Sequence, residues 1–233
     1  MKKSNRSSRL VNGLIALLFI IGVVLIFNKS IQNMLIIAKS NHYQLEHVFQ
    51  KTIEQNKQKK PNFDFSTVKS VDFQTVLSSQ LNSQNLPVIG EIVIPDLKLK
   101  LPIFKGVGNS SLLYGAGTMK EEVMGQGNYC LAGHNMTGFA SNCELLFSPL
   151  EKAKKGMMVY VTDGKNVYAY KIDKINVVTP EHVEVLDDTP NQKEITLVTC
   201  ADVKATHRII VHGNDVAKSP FNQASSEIKH AFK

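Results

Sequence analysis

The stretch MMVYVTDGKNVYAYKIDKINVV, residues 157–178, decides the fold of this chain. Runs rich in Val, Tyr and Ile stand on both sides of Asp163-Gly164, and Asp-Gly in that setting suits a tight turn joining two antiparallel strands. Outward from this hairpin the same texture recurs in short β-branched runs cut by Gly, Pro, Asn and Asp. These are VIGEIVIP from Val88, LKLPIFKG from Leu99, NYCLAGHN from Asn128, EITLVTC from Glu194 and HRIIVHG from His207. Seven or eight short strands with few helix-length patterns between them predict an all-β, closed or nearly closed barrel rather than a βαβ sheet. The chain carries no internal repeat of the length that marks solenoids or propellers.

Ahead of the barrel the texture changes. From Leu10 to Phe27 there is no charge and one polar residue, Asn12. At about 1.5 Å per residue such a helix covers about 27 Å, close to a hydrocarbon core of about 30 Å, so it can span a bilayer. Residues 1–9 hold Lys2, Lys3, Arg6 and Arg9 and no acid, which by the positive-inside tendency keeps the N-terminus cytoplasmic and exports the rest. A cleavable secretory signal is the competing reading, but the apolar run exceeds the usual signal core and no clear A-x-A site follows it. The expected layout is a basic cytoplasmic tail over 1–9, a transmembrane anchor over 10–28, an extracytoplasmic stalk and linker over 29–87, and the barrel domain over 88–233. Within the stalk, apolar residues at three- and four-residue spacings predict a helix from Ser30 to Lys60, ended by Pro61, and a second over Val71 to Leu81.

The net charge of +7 argues only weakly for a nucleic-acid partner, because four of the positive charges lie in the first nine residues and serve topology. Three cysteines, Cys130, Cys143 and Cys200, cannot all pair within one exported chain, so at least one thiol is left over and open to reactive chemistry.

Cys200 ends the strand Ile195-Thr196-Leu197-Val198-Thr199-Cys200, where a thiol is rigidly held yet accessible, as a nucleophile needs; the bland reading is a small packing residue. His134, in Ala132-Gly133-His134-Asn135, stands where another apolar run stops. It can exchange a proton with the thiol and with a leaving amine, or be an ordinary loop histidine. Arg208 opens the strand Arg208-Ile209-Ile210-Val211. A connection of about six residues returns it beside Cys200, where a permanent cation favours a thiolate and stabilises an oxyanion; alone, it reads as a surface arginine. Strand alternation puts Cys130, Ala132 and His134 on one face, so Cys130 is either a resolving partner for Cys200 under oxidation or a packing residue.

Three signatures together resemble the sortases, and within them the class A housekeeping type of Gram-positive bacteria: TLxTC as Thr196-Leu197-Val198-Thr199-Cys200, the histidine of LAGHN and the arginine of HRIIV. The resemblance runs from Val88 to Val216. The N-terminal anchor, with no second apolar span near the C-terminus, fits class A.

The resemblance implies an eight-stranded barrel acting as a cysteine transpeptidase. It cleaves an LPxTG-type sorting signal of surface proteins between Thr and Gly, holds the acyl group as a thioester on Cys200 and passes it to an amine of a cell-wall precursor of lipid II type. It implies His134, Cys200 and Arg208 as catalytic residues. Val183, Val185 and Leu186 fall in the family's mobile loop before the cysteine strand. Together with Ala132, Val198 and Thr199, they are the expected substrate-binding residues, ordinary barrel packing being the plain alternative. One branch of the family orders that loop with calcium. Here Glu121, Glu122 and Asp188 lie near the corresponding regions beside Lys120, too sparse a set for six to eight oxygen ligands, so no metal and no cofactor is expected. Two other readings share parts of this pattern: a sortase specialised for pilin polymerisation or for one dedicated protein, and a catalytically silent membrane-anchored adhesin or scaffold domain.

Overall fold

The computed structural model describes residues 4–65, 68, 71, 73–81, 85–121, 123–136, 145–202 and 205–233. Cys143 and Glu122 lie outside the described residues. Eight strands form a closed barrel: β1 Val88–Ile94, β2 Leu99–Phe104, β3 Ala116–Thr118, β4 Asn128–Ala132, β5 Met158–Thr162, β6 Asn166–Val178, β7 Glu194–Cys200 and β8 Arg208–Pro220. Around the barrel they run β1-β2-β3-β4-β7-β8-β6-β5, so the eight-stranded expectation is met.

The Asp-Gly hairpin joins β5 to β6, with Thr162 opposite Val167. Gly164 takes φ +82°, which favours glycine, and the Asp163 carboxylate accepts the N–H groups of Lys165 (3.0 Å) and Asn166 (2.8 Å). Alternation then sorts the side chains. Val159, Val161, Tyr168 and Tyr170 turn into the barrel with Ile92, Ile94, Ile103, Leu131, Leu197 and Val211. Closure removes free sheet edges and buries this apolar set from all sides.

Among the described residues five α-helices accompany the barrel: α1 Ser4–His42, α2 Gln50–Lys57, α3 Phe73–Leu81, α4 Asn109–Tyr114 and α5 Ser226–Ala231. The apolar run forms the first part of α1, with no residue of its most hydrophobic window buried, and the helix is long enough to cross a membrane. Farther along the same helix Gln32, Ile36 and Ser40, spaced by four, are buried. Tyr43, just past its end, packs edge-on to Phe104 with ring centroids 5.4 Å apart.

The single helix expected from Ser30 to Lys60 is therefore broken between His42 and Gln50. The cause is tertiary. Tyr43 is drawn onto the barrel, and the Leu45 N–H donates to the buried Glu91 carboxylate (3.1 Å). After this bend α2 docks on the hairpin: Lys57 pairs with Asp163 (2.9 Å), and Asn56 donates to the Val88 carbonyl (2.9 Å). Residues preceding Val88 thus contribute core, Ile36, Ile53 and Val76 among them, rather than forming a detached stalk.

Candidate active site

β4 and β7, distant in sequence, are parallel neighbours with Cys130 opposite Thr196 and Ala132 opposite Val198. The pairing continues past the end of β4, where the Gly133 N–H donates to Val198 O (3.1 Å) and the Thr199 hydroxyl donates to Gly133 O (2.7 Å). His134 is consequently level with Cys200. On the other side of β7, antiparallel β8 sets Arg208 directly opposite Cys200. Three neighbouring strands thus bring the candidate histidine, thiol and guanidinium into one row.

Local packing explains the residues around His134. A Cβ on Gly133 would lie 2.6 Å from Phe147 Cγ, so only glycine lets that ring close over the strand end. The Phe147 N–H donates to His134 O (3.0 Å), and Asn135 reaches across to the Cys200 carbonyl (2.7 Å).

Since Leu131, Ile195, Leu197, Ile209 and Val211 fill the barrel, the residues alternating with them face outward. Ala132, Val198 and Ile210 form an apolar floor one step below the row, only 7%, 9% and 5% exposed. Ile210 is absent from the sequence-derived set, although it stands two residues from Arg208, as Val198 stands two from Cys200 and Ala132 two from His134. Ala132 packs with Val107 and Leu112 of the α4 region, which supplies one wall.

The opposite wall is the connection between β6 and β7, with a short 3-10 turn over Val183–Leu186. The Asn128 amide donates to the carbonyls of Val185 and Asp187 (3.1 Å each) and accepts the Thr196 hydroxyl (2.7 Å). Asp188 accepts the Asn128 N–H (2.8 Å), and Lys120 Nζ lies 2.7 Å from both Leu186 O and Asp188 Oδ1. An ammonium therefore occupies the centre of this tie. Leu186 and Val185 are half-buried, whereas Val183 is 66% exposed. The Thr199 side chain is 2% exposed and committed to Gly133, which makes it a brace between strands rather than a groove wall.

Cys130 contacts Asn128 O (3.2 Å) and Leu186 O (3.7 Å) beneath this connection. Its partner in the ladder is Thr196, four residues before Cys200. At about 3.3 Å per residue the two thiols are about 13 Å apart along the sheet, beyond the reach of a disulfide. Cys130 is fully buried and packs; the resolving-partner reading is ruled out by register.

Burial pushes the His134 imidazole down to about 4. Burial also raises the Cys200 thiol above its ordinary value; the Arg208 charge pulls it back and Asp202 adds to the rise. Both shifts favour the uncharged forms, a thiol and a neutral imidazole. Arg208 is held by its Nη1, which donates to Ala205 O (2.7 Å) and His207 O (3.1 Å). Asp202 braces the same turn by accepting from the Thr206 hydroxyl (2.8 Å) and the His207 N–H (3.0 Å).

The family model described as Sortase domain matches residues 92–216, which span β1 to β8. The chain belongs to the sortase family. Sortase A of Streptococcus agalactiae is 55% identical over 94% of this chain and 90% of its own length. Sortase A of Listeria monocytogenes is 35% identical over 84% of this chain and 87% of its own. The solved structure of the Listeria sortase A superposes with a TM-score of 0.56, at 35% identity, covering 62% of this chain and 96% of that one. This sortase is accordingly a cysteine transpeptidase of cell-wall sorting, and the silent adhesin or scaffold reading does not stand.

Proposed function

We propose that this sortase cleaves an LPxTG-type signal between Thr and Gly and joins the new acyl end to an amine of a lipid II-type cell-wall precursor, with Cys200 as nucleophile. The observation that carries the proposal is the row His134–Cys200–Arg208 above the Ala132–Val198–Ile210 floor. From Cys200 down to the level of Thr196, beneath Leu186, is four residues, or about 13 Å; an extended Leu-Pro-x-Thr segment covers about 13 Å as well. With threonine at the thiol, the leucine of the signal falls against Leu186 and Val185. Val183, at the exposed edge of the turn, closes on the peptide from outside, and Thr199 acts through Gly133 to keep the two strand ends together.

In acylation the Cys200 thiol gives its proton to neutral His134 as Sγ bonds to the threonine carbonyl carbon. The carbon–nitrogen bond to glycine then breaks, and the imidazolium delivers the proton to the departing amine. In the second half the acceptor amine attacks the thioester, its surplus proton passes through His134 to the leaving Cys200 sulfur, and the thiol is regenerated. Arg208 offers N–H donors beyond Nη1 to the oxyanion of both tetrahedral intermediates. Burial favours the uncharged form of both groups, which supports a proton that moves as the sulfur–carbon bond forms, with no standing ion pair required.

The basic N-terminal tail and the exposed apolar part of α1 support a single-pass anchor with the N-terminus cytoplasmic and the barrel outside. The similarity to sortase A chains over most of the sequence supports the housekeeping type over the pilin-polymerising one. The test uses the full chain in detergent micelles with an LPxTG peptide and an amine acceptor, followed by mass spectrometry. Product ending at threonine joined to the amine, with an acyl adduct on Cys200, is expected. Cleavage that persists in Cys200→Ala overturns the assignment.

A further inference from the structure

We infer that Asn135 is a positioning residue for the transpeptidation, setting the separation of thiol and imidazole by gripping the peptide group of Cys200 from the histidine's own strand. The inference rests on the assignment of Cys200 and His134 proposed above. Asn135 Nδ2 donates to Cys200 O at 2.7 Å and to Glu151 Oε1 at 2.8 Å. Both partners are acceptors, so the amide nitrogen, not the oxygen, has to face them, and the two contacts use both of its N–H groups. Glu151 belongs to the 3-10 turn Ser148–Lys152, a third element that meets neither strand end through its own backbone ladder.

The need for such a grip follows from where the ladder stops. β4 ends at Ala132, and the last backbone bond joining the two strands is Gly133 N–H to Val198 O. The candidate acid–base and nucleophile both lie beyond it, where parallel pairing no longer dictates spacing. Past His134 the backbone is tied away from β7, by the Phe147 N–H donating to His134 O and the Met136 N–H donating to the Ser148 hydroxyl (2.7 Å). The Asn135 side chain returns the chain to β7 at Cys200 itself and closes a small ring through Gly133, His134 and Thr199. Glu151, by accepting the second N–H, orients the amide toward Cys200. Neither Asn135 contact touches the apolar floor, so the grip acts on the reacting atoms and not on peptide affinity.

Three variants of the full chain, assayed with LPxTG peptide and amine acceptor, test this. Asn135→Ala should lower kcat by about 100-fold, the effect expected of a misplacement of about 1 Å, with KM within about twofold of the parent. Asn135→Asp keeps the shape but has no donor while ionised. Its carboxyl, next to Glu151, retains a proton more readily as pH falls and then donates to Cys200 O. The ratio of Asn135→Asp to parent kcat should therefore rise several-fold from pH 7.5 to pH 5.5, a trend that loss of packing would not produce. Glu151→Gln keeps the acceptor and should stay within about threefold of the parent. An Asn135→Ala kcat within threefold of the parent, a loss confined to KM, or an Asn135→Asp ratio flat with pH overturns the inference. Cys200→Ala serves as the control: if it turns over, the assignment of the nucleophile fails instead.

Discussion

Glu91 should give the parent chain a pH dependence of stability between about pH 4.5 and 7, and replacing it with glutamine should abolish that dependence. Glu91 lies on β1 with no exposed surface. Its Oε2 accepts the Leu45 N–H at 3.1 Å, and Oε1 stands 3.6 Å from Lys100 Nζ. Burial pushes the carboxyl up from 4.5 to about 7, against the pull of Lys100 and the Leu45 amide and with a small push from Glu46. A group whose folded value is raised contributes its full stability below the unfolded value and loses it as pH climbs through the folded one. Between 4.5 and about 7 the unfolded chain has shed a proton that the native one keeps, so stability falls with rising pH by up to 1.36 kcal/mol per pH unit. Over that interval the loss amounts to about 3 kcal/mol, flat on either side. Glutamine keeps an oxygen for the Leu45 N–H and cannot ionise. The stability difference, Glu91→Gln minus parent, should grow by about 3 kcal/mol from pH 4 to pH 8, other titrations cancelling between the two proteins. Denaturant unfolding of both full chains in detergent, followed by tyrosine emission because the chain has no tryptophan, measures it. A difference that stays constant across that range refutes the reasoning, and with it the idea that the bend at Leu45 seals a carboxyl from water.

Alkylation of Cys200 by iodoacetamide should be slow at pH 7 and still accelerating at pH 9, because burial raises the thiol. Arg208→Ala, which removes the charge that pulls it back, should move the curve to still higher pH and lower kcat by about 100-fold or more; a plateau near neutrality would contradict a resting thiol. Lys120→Ala removes the ammonium shared by Leu186 O and Asp188. It should raise KM for the sorting peptide by about fivefold with kcat little changed, whereas an unchanged KM would detach this tie from substrate binding.

Much of the barrel is legible in the sequence. The hairpin at Asp163-Gly164, the strand ending at Cys200 and the return of β8 to put Arg208 beside it are all consequences of local pattern and short connections. The stalk is not, since the spacings that predict one helix from Ser30 to Lys60 say nothing of Phe104 or Glu91, which draw in Tyr43 and Leu45 and break it. Thr199 illustrates the same limit: its place in the signature is plain, while the turn of its hydroxyl onto Gly133 belongs to a neighbouring strand.

What the sequence determined by itself is therefore which residues alternate, where strands stop, and that a thiol, an imidazole and a guanidinium stand at those stops. Only the tertiary structure decided that β4 lies parallel to β7, that Cys130 is held about 13 Å from Cys200, and that Asn135 returns to the Cys200 carbonyl. The physical reason is range: alternation and turn chemistry act between residues a few positions apart, but Cys130 and Thr196 become neighbours only because closing the barrel leaves no strand edge unpaired.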